Sequence, residues 1–252
     1  MCLILIAHQF NKQAPLLVLA NRDEFYNRPA KEAAPWDECS ELIAGRDLAS
    51  GGSWFGARGL RWASVTNVRE GMNPGDRHRS RGWLVRDYLL SNDSPQGFLS
   101  KIANQIGAHP GFNLLAGNGQ ELWYCSNRGP VAQRLEPGIY GLSNHLIDTP
   151  WPKVKRGKEA LRELMSQPQI DHDRAFAILT DTTQVADTDL PDTGIPLEWE
   201  RSLSAAFIST QDYGTRCSTL LMRTAGSNHF FVERRFAVSP ESWEESRFSW
   251  TA

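Results

Sequence analysis

A cysteine stands at position 2, directly after the initiator Met1 and at the head of the apolar run Cys2-Leu3-Ile4-Leu5-Ile6-Ala7. Removal of Met1 would leave a thiol and a free α-amine on the same residue. An α-amine titrates near pH ~8 and a thiol near ~8.5, so the first can take the proton of the second close to neutrality. The resulting thiolate would attack an amide or ester carbonyl, the chemistry of an N-terminal nucleophile. Cysteine is also a small hydrophobe that fills strands, so this reading depends on what else the chain supplies.

Four other segments are richer in chemistry than a core requires: Asn21-Arg22-Asp23-Glu24, Val65-Thr66-Asn67, Gly141-Leu142-Ser143-Asn144 and Tyr213-Gly214-Thr215-Arg216. Each places a polar amide or guanidinium at the end of an apolar strand, where active-site loops accumulate. Any one of them, taken alone, also reads as a turn. A cation beside Cys2, Arg22 or Arg216, would favour the thiolate, and Asp23 would accept hydrogen bonds from the amine and orient it. On a regular strand Asn21 and Asp23 share one face and Arg22 and Glu24 the other, so Arg22 and Asp23 reach Cys2 together only if the strand ends or bulges there. The same block would serve equally as an Arg–Asp/Glu salt-bridge network that staples a hairpin.

The elements that must carry these residues follow from periodicity. Leu3 to Ala7 and Leu16 to Ala20 read as a buried antiparallel hairpin, and Gly52 to Ala57 with Trp62 to Thr66 as a second one. Helical spacing covers Gly82 to Leu90, Phe98 to Ile106, Val154 to Met165 and Arg174 to Leu179. Further strands are expected at Phe112 to Ala116, Leu122 to Cys125, Gly138 to Leu142, Ala206 to Ser209, Ser218 to Met222 and Phe230 to Arg234. Gln184 to Glu198 reads as a surface loop, placed to cover a site. Strands, then helices, then strands favour an α+β layered fold over alternating βαβ units.

Several blocks closely resemble one family across most of the chain. They are Met1-Cys2, Ala20-Asn21-Arg22-Asp23-Glu24-Phe25-Tyr26-Asn27-Arg28-Pro29, Gly51-Gly52-Ser53-Trp54-Phe55-Gly56, Gly111-Phe112-Asn113-Leu114, Tyr140-Gly141-Leu142-Ser143-Asn144, Thr149-Pro150-Trp151 and Tyr213-Gly214-Thr215-Arg216. The family is the Asn-Arg-Asp-Glu (NRDE) family, also called the transport and Golgi organisation protein 2 family. The resemblance implies a four-layer αββα sandwich of the N-terminal-nucleophile superfamily, as one domain over residues 1–252. It implies a cysteine-headed amidohydrolase-like site acting on the C–N amide or ester bond of a small acylated substrate. Cys2 would be its nucleophile, Asn67 and Asn144 would supply the oxyanion hole, and Arg216 would match the late arginine of such enzymes. The chain departs from the cysteine-headed acylases of that superfamily, which place an arginine and an aspartate a few residues apart, in having Arg22 and Asp23 adjacent. It also implies a non-catalytic alternative, a carrier or chaperone for haem, lipid or acyl-CoA that uses the same cleft.

Composition narrows the partners. With 252 residues, 40% of them hydrophobic, the chain can bury a substantial core, and a net charge of -2 gives no global reason to bind nucleic acid or anionic lipid. A small-molecule ligand or substrate, such as an acylated amine, a lipid or haem, is the expected partner. Cys2, Cys39, Cys125 and Cys217 form no Cys-x-x-Cys pair, which argues against structural zinc and against a disulfide framework. No metal and no cofactor are called for, and a cytoplasmic location is expected. No apolar stretch is long enough to cross a bilayer as a helix. The six histidines are scattered, with His145 alone adjoining one of the polar segments. The basic run Arg77-His78-Arg79-Ser80-Arg81 reads as a solvated loop able to meet a phosphate or propionate. Trp36, Trp54, Trp62 and Trp151 read as core aromatics, with pocket lining as the alternative.

Overall fold

The structure, a computed structural model, describes residues 2–70, 79–103 and 105–252. The strands β1 (Cys2–His8), β2 (Leu16–Phe25), β3 (Ala30–Trp36), β4 (Cys39–Asp47), β5 (Phe55–Arg58) and β6 (Arg61–Asn67) precede helices α1 (Gly82–Leu90) and α2 (Pro95–Ala103). Four strands follow, β7 (Phe112–Gly117), β8 (Leu122–Ser126), β9 (Gln133–Leu135) and β10 (Gly138–Leu142). Helices α3 (Pro152–Met165), α4 (His172–Leu179) and α5 (Leu197–Leu203) then lead to β11 (Tyr213–Arg223), β12 (Asn228–Phe236) and β13 (Trp243–Thr251). The described strands form two antiparallel sheets, one ordered β10-β1-β2-β11-β12-β13 and the other β3-β4-β5-β6-β7-β8-β9. The α+β class expected from the element order is therefore present.

Alternation along β1 and β2 explains why these strands read as unbroken apolar runs. Leu3, Leu5, Leu17 and Leu19 pack with Val154 and Leu161 of α3 and Phe176 and Leu179 of α4. The intervening Ile4, Ile6, Val18 and Ala20 pack with Phe55, Trp62, Leu115 and Tyr124 of the other sheet. A third cluster sets Leu84, Val85, Tyr88 and Leu89 of α1 and Phe98 and Leu99 of α2 against Leu42, Val65, Leu114 and Ala116. Side chains on both faces of the central strands leave water, so only strand ends are free to carry polar chemistry.

Three expectations shift. The strand foreseen from Gly52 begins at Phe55. A Cβ on Gly52 would lie 2.4 Å from the carbonyl carbon of Gly82, so this segment is pressed backbone to backbone against the start of α1. Ala206 to Ile208 are buried, but among the described residues this segment makes one isolated bridge, Ser209 to Gly214, and no strand. Its amides bond elsewhere: Phe207 N–H to the Asp181 carbonyl and Ile208 N–H to the Thr215 hydroxyl. The helix foreseen over Phe98 to Ile106 begins earlier, at Pro95, and ends at Ala103, with Ile106–Ala108 forming a separate 3₁₀ turn. Helix α4 starts at His172 because Asp171 caps it, its Oδ1 accepting from the Asp173 and Arg174 amides. No helix among the described residues is long and apolar enough to cross a membrane.

Candidate functional site

Cys2 opens β1 and pairs with Arg22 of β2, which in turn pairs with Cys217 of β11. Directly opposed residues share a face, so Cys2, Arg22 and Cys217 all look into the space between the sheets. There Cys2, half-buried, lines a cleft of about 460 Å³ with Arg22, Asp23, Asn67, Trp54 and Arg81. The sulfur thus meets polar strand ends and not aliphatic packing. Burial pushes the thiol above its ordinary pKa, and the charge of Asp23 reinforces this; the Asp23 backbone N–H and the Arg22 guanidinium oppose it.

The alternation foreseen for the Asn-Arg-Asp-Glu block holds. Asn21 and Asp23 turn toward the helices, Asn21 donating to the carbonyls of Leu179 and Ala206 and Asp23 Oδ1 accepting from the Thr215 hydroxyl at 2.7 Å. Arg22 turns the other way, onto the Trp54 ring at 4.2 Å and within 3.5 Å of Asp47. Arg28 joins the same carboxylate at 2.7 Å and lies 3.7 Å from Glu24, so the stapling network read from the sequence exists, with Asp47 as its hub. Asp47 is itself held by the Ala49 and Ser50 amides. Asp23 meets Cys2 through its backbone N–H, while burial pushes its carboxyl above the usual carboxylate range.

Asn67, at the end of β6, lines the cleft. Fully buried Asn144 does not; its Nδ2 donates to the Asn67 carbonyl at 3.0 Å, and its own carbonyl accepts from the Arg69 amide. Neighbouring Ser143 donates to the Cys2 carbonyl at 3.0 Å. Behind them Thr66 donates to the Ser143 carbonyl, Asn113 to Thr66 and the His145 carbonyl, and Tyr124 to Asn113. Asn144 therefore fixes where Asn67 and the start of β1 stand. Arg216 is brought to a different place. It is the extra residue at a β-bulge between Thr215 and Cys217, its Nη1 donates to the carbonyls of Phe25, Tyr26 and Arg28, and it lines a second cavity of about 330 Å³ behind Arg22 and Trp54.

A third cavity, about 320 Å³, adjoins the Cys2 cleft through Glu24, Asn67, Arg81 and Pro110. Its floor is apolar, with Phe25, Ile195, Trp199, Leu203 and Tyr213. Ile195 belongs to the polar loop expected to lie over a site. The remaining expectations sort by burial. Trp36 and Trp62 are core, Trp54 lines the cleft, and Trp151 stacks under Arg69 at 4.8 Å. His145 is exposed against Thr149 and Trp151. Of the basic run, Arg77 and His78 lie outside the described residues, while Arg79 and Arg81 line the cleft. Among the described residues no cluster of His, Cys, Asp and Glu could hold a metal ion.

Sequence reasoning missed Asp47 and Lys153, and it read Arg81 only as part of a solvated basic loop. Asp47 carries a usable signal, an acid just before the Gly51-Gly52 turn. Lys153 carries another: a cation in the first turn of a helix opposes the helix dipole and calls for a partner.

These features define an α+β protein of two antiparallel sheets whose leading strand presents a thiol to a polar cleft. The chain belongs to the Transport and Golgi organisation 2 family, whose model matches residues 1–238. It is 33% identical to the mouse Transport and Golgi organization 2 homolog over 94% of this chain and 92% of the mouse protein, and 35% identical to the bovine homolog over 91% and 90%. The Drosophila melanogaster Transport and Golgi organization protein 2 is 25% identical over 98% of this chain and 96% of its own.

Proposed function

We propose that the chain is a single N-terminal-nucleophile-like domain, a four-layer αββα sandwich, that hydrolyses the amide or ester bond of a small acylated substrate. The three apolar clusters, helix against sheet, sheet against sheet and sheet against helix, support that layering. One observation carries the activity: the Cys2 sulfur faces a cleft with a guanidinium, a backbone N–H and Asn67 around it. With Met1 removed, the α-amine takes the thiol proton and sulfur bonds to the carbonyl carbon. The C–N or C–O bond breaks, and the leaving amine or alcohol departs with a proton from the ammonium. Water then attacks the thioester, releasing the acid and restoring the thiol. Asn67, held by Asn144, faces the negative oxygen, where one lost donor commonly costs about 2.7–4 kcal/mol. The apolar compartment beside the cleft suits the acyl half.

A second reading, a non-catalytic carrier of an acyl lipid or haem, is favoured by that same compartment and by the raised thiol pKa. Peptide-resolved mass spectrometry after an acylating electrophile separates the two. Acyl transfer to Cys2 followed by its release supports the hydrolase. No adduct on Cys2, in protein whose intact mass shows that Met1 is gone, rules it out.

A further inference from the structure

The second cavity, about 330 Å³ behind the Arg22–Trp54 partition, is lined by an acid that the Cys2 site does not use. Glu233 of β12 lies on the strand face that carries Phe231 into the space between the sheets, and it is 1% exposed. Its Oε1 accepts from the Ala33 amide of β3 at 2.7 Å, which fixes the carboxyl across the two sheets. Its Oε2 has no hydrogen-bond partner among the described residues, and the Cys217 thiol beside it is a weak donor at best. Two donors on residues of the same cavity are also left over, the Trp54 indole N–H and the Arg235 Nε–H. A carboxyl held this deep calls for a full set of donors, and a cavity of this size can admit a small molecule that brings one.

The charges around that acid select the ligand. Arg22, Lys31, Arg216 and Arg235 line the cavity with Glu233 and Glu244. Arg22 is paired with Asp47, and Arg235 with Glu32 and Glu244. Arg216 donates to three backbone carbonyls, and among the described residues no carboxylate pairs with it or with exposed Lys31. A simple amine would satisfy Glu233 but meet the surrounding cations, and a simple acid would suit Arg216 and Lys31 but face the Glu233 carboxyl. One molecule carrying both groups meets both demands. We propose that this cavity is a second binding site, for a small zwitterion whose ammonium donates to Glu233 Oε2 and whose acid group meets Arg216 and Lys31. Trp54 and Trp243 are its walls. The site does not depend on the amidohydrolase reading, which concerns the other side of the Arg22–Trp54 partition.

The probes are β-alanine, 4-aminobutyrate and 5-aminopentanoate, which step the separation of the two charges, with butyrate and butylamine as single-charge counterparts. Each is titrated into the full chain carrying nitrogen-15 at its tryptophan indoles. Trp54 borders both this cavity and the Cys2 cleft, whereas Trp243 borders this one, so the Trp243 signal, assigned through Trp243→Phe, reports the place. At least one zwitterion should shift that signal with a Kd of about 1 mM or tighter, and both counterparts should bind at least about tenfold more weakly. Glu233→Gln, of the same shape, should weaken the zwitterion at least about tenfold, and Lys31→Ala, at an exposed position, about two- to fivefold. No Trp243 shift with any zwitterion at ~20 mM overturns the proposal and leaves a cavity that holds water only. A shift of Trp54 without Trp243, which puts the probe in the Cys2 cleft, overturns it too, as does an unchanged affinity in Glu233→Gln. If Glu233→Gln does not fold, the Trp243 shift and the ranking against butyrate and butylamine decide alone.

Discussion

The guanidinium of Arg22 lies 4.2 Å above the ring of Trp54, and the two side chains together form the wall between the Cys2 cleft and the cavity that holds Arg216. Arg22 is nearly fully buried and its partner carboxylate, Asp47, is shared with Arg28. One side chain thus bears on the thiol, the partition and the stapling network.

Loss of that cation should slow the thiol. In Arg22→Met the Cys2 pKa, already raised by burial, rises further, and its alkylation at pH 8 should fall about three- to tenfold. Arg22→Lys keeps the charge but not the flat stacking, so it should restore the rate and still lose stability, on the order of 1 kcal/mol. Peptide-resolved alkylation kinetics and urea unfolding measure the two effects.

The Arg69–Glu200 pair anchors α5 and Val68-Arg69, both of which border the apolar compartment. Both side chains are about 5% exposed or less. Glu200→Leu removes one charge and leaves the other buried, which should cost about 3–5 kcal/mol in urea unfolding. Replacing both together by apolar residues should cost much less.

His8 and His229 are buried neutral, their pKa values drawn down to about 4, first by burial and then by Arg223. In the unfolded chain they titrate near ~6.5, so the unfolded state binds protons first on acidification. Their contribution is complete above about pH 6.5 and is lost as pH falls toward 4, on the order of 2–3 kcal/mol for each. His229 stacks on Trp250 at 5.2 Å, so His229→Phe should fold and should lessen the loss of stability between pH 6.5 and 5.

A methyl group on Gly52 would meet the Gly82 backbone at 2.4 Å, where nothing can yield except the chain itself. Gly52→Ala should cost about 1–3 kcal/mol and displace the Trp54 loop. Thermal unfolding reads the first effect, and faster quenching of tryptophan fluorescence by iodide the second.

Much of this was legible in the residues. Strands buried on both faces, such as β1, β2 and β7, announce themselves as branched apolar runs, and the period-two alternation at residues 21–24 showed that Arg22 and Asp23 would point to opposite faces. Strands β3 and β13 were silent. Ala30–Trp36 has exposed lysine and glutamate among alanines and an irregular register, and Trp243–Thr251 is exposed on most positions, so neither carries a run. Asn144 was legible as a polar residue at a strand end, but its donor geometry was not: whether an amide faces a cleft or a neighbouring carbonyl depends on contacts 77 residues away in the chain. The place of Arg216 was hidden for a related reason, since the bulge that directs it has no residue signature of its own.

Strand β13 lies beyond the stretch that the family model covers, yet it supplies Phe248 and Trp250 to the core between the sheets and bonds through the Trp250 indole to the Gly59 carbonyl. It also occupies the outer side of β12, where Glu244 and Glu245 pair across to Arg235 and Arg234. Without this last strand the row of amide and carbonyl groups along β12 would become an open template for a strand from another molecule. Strand β13 in this sense occupies an edge that would otherwise invite strand addition, and it carries the charged side chains Glu244, Glu245 and Arg247 with it.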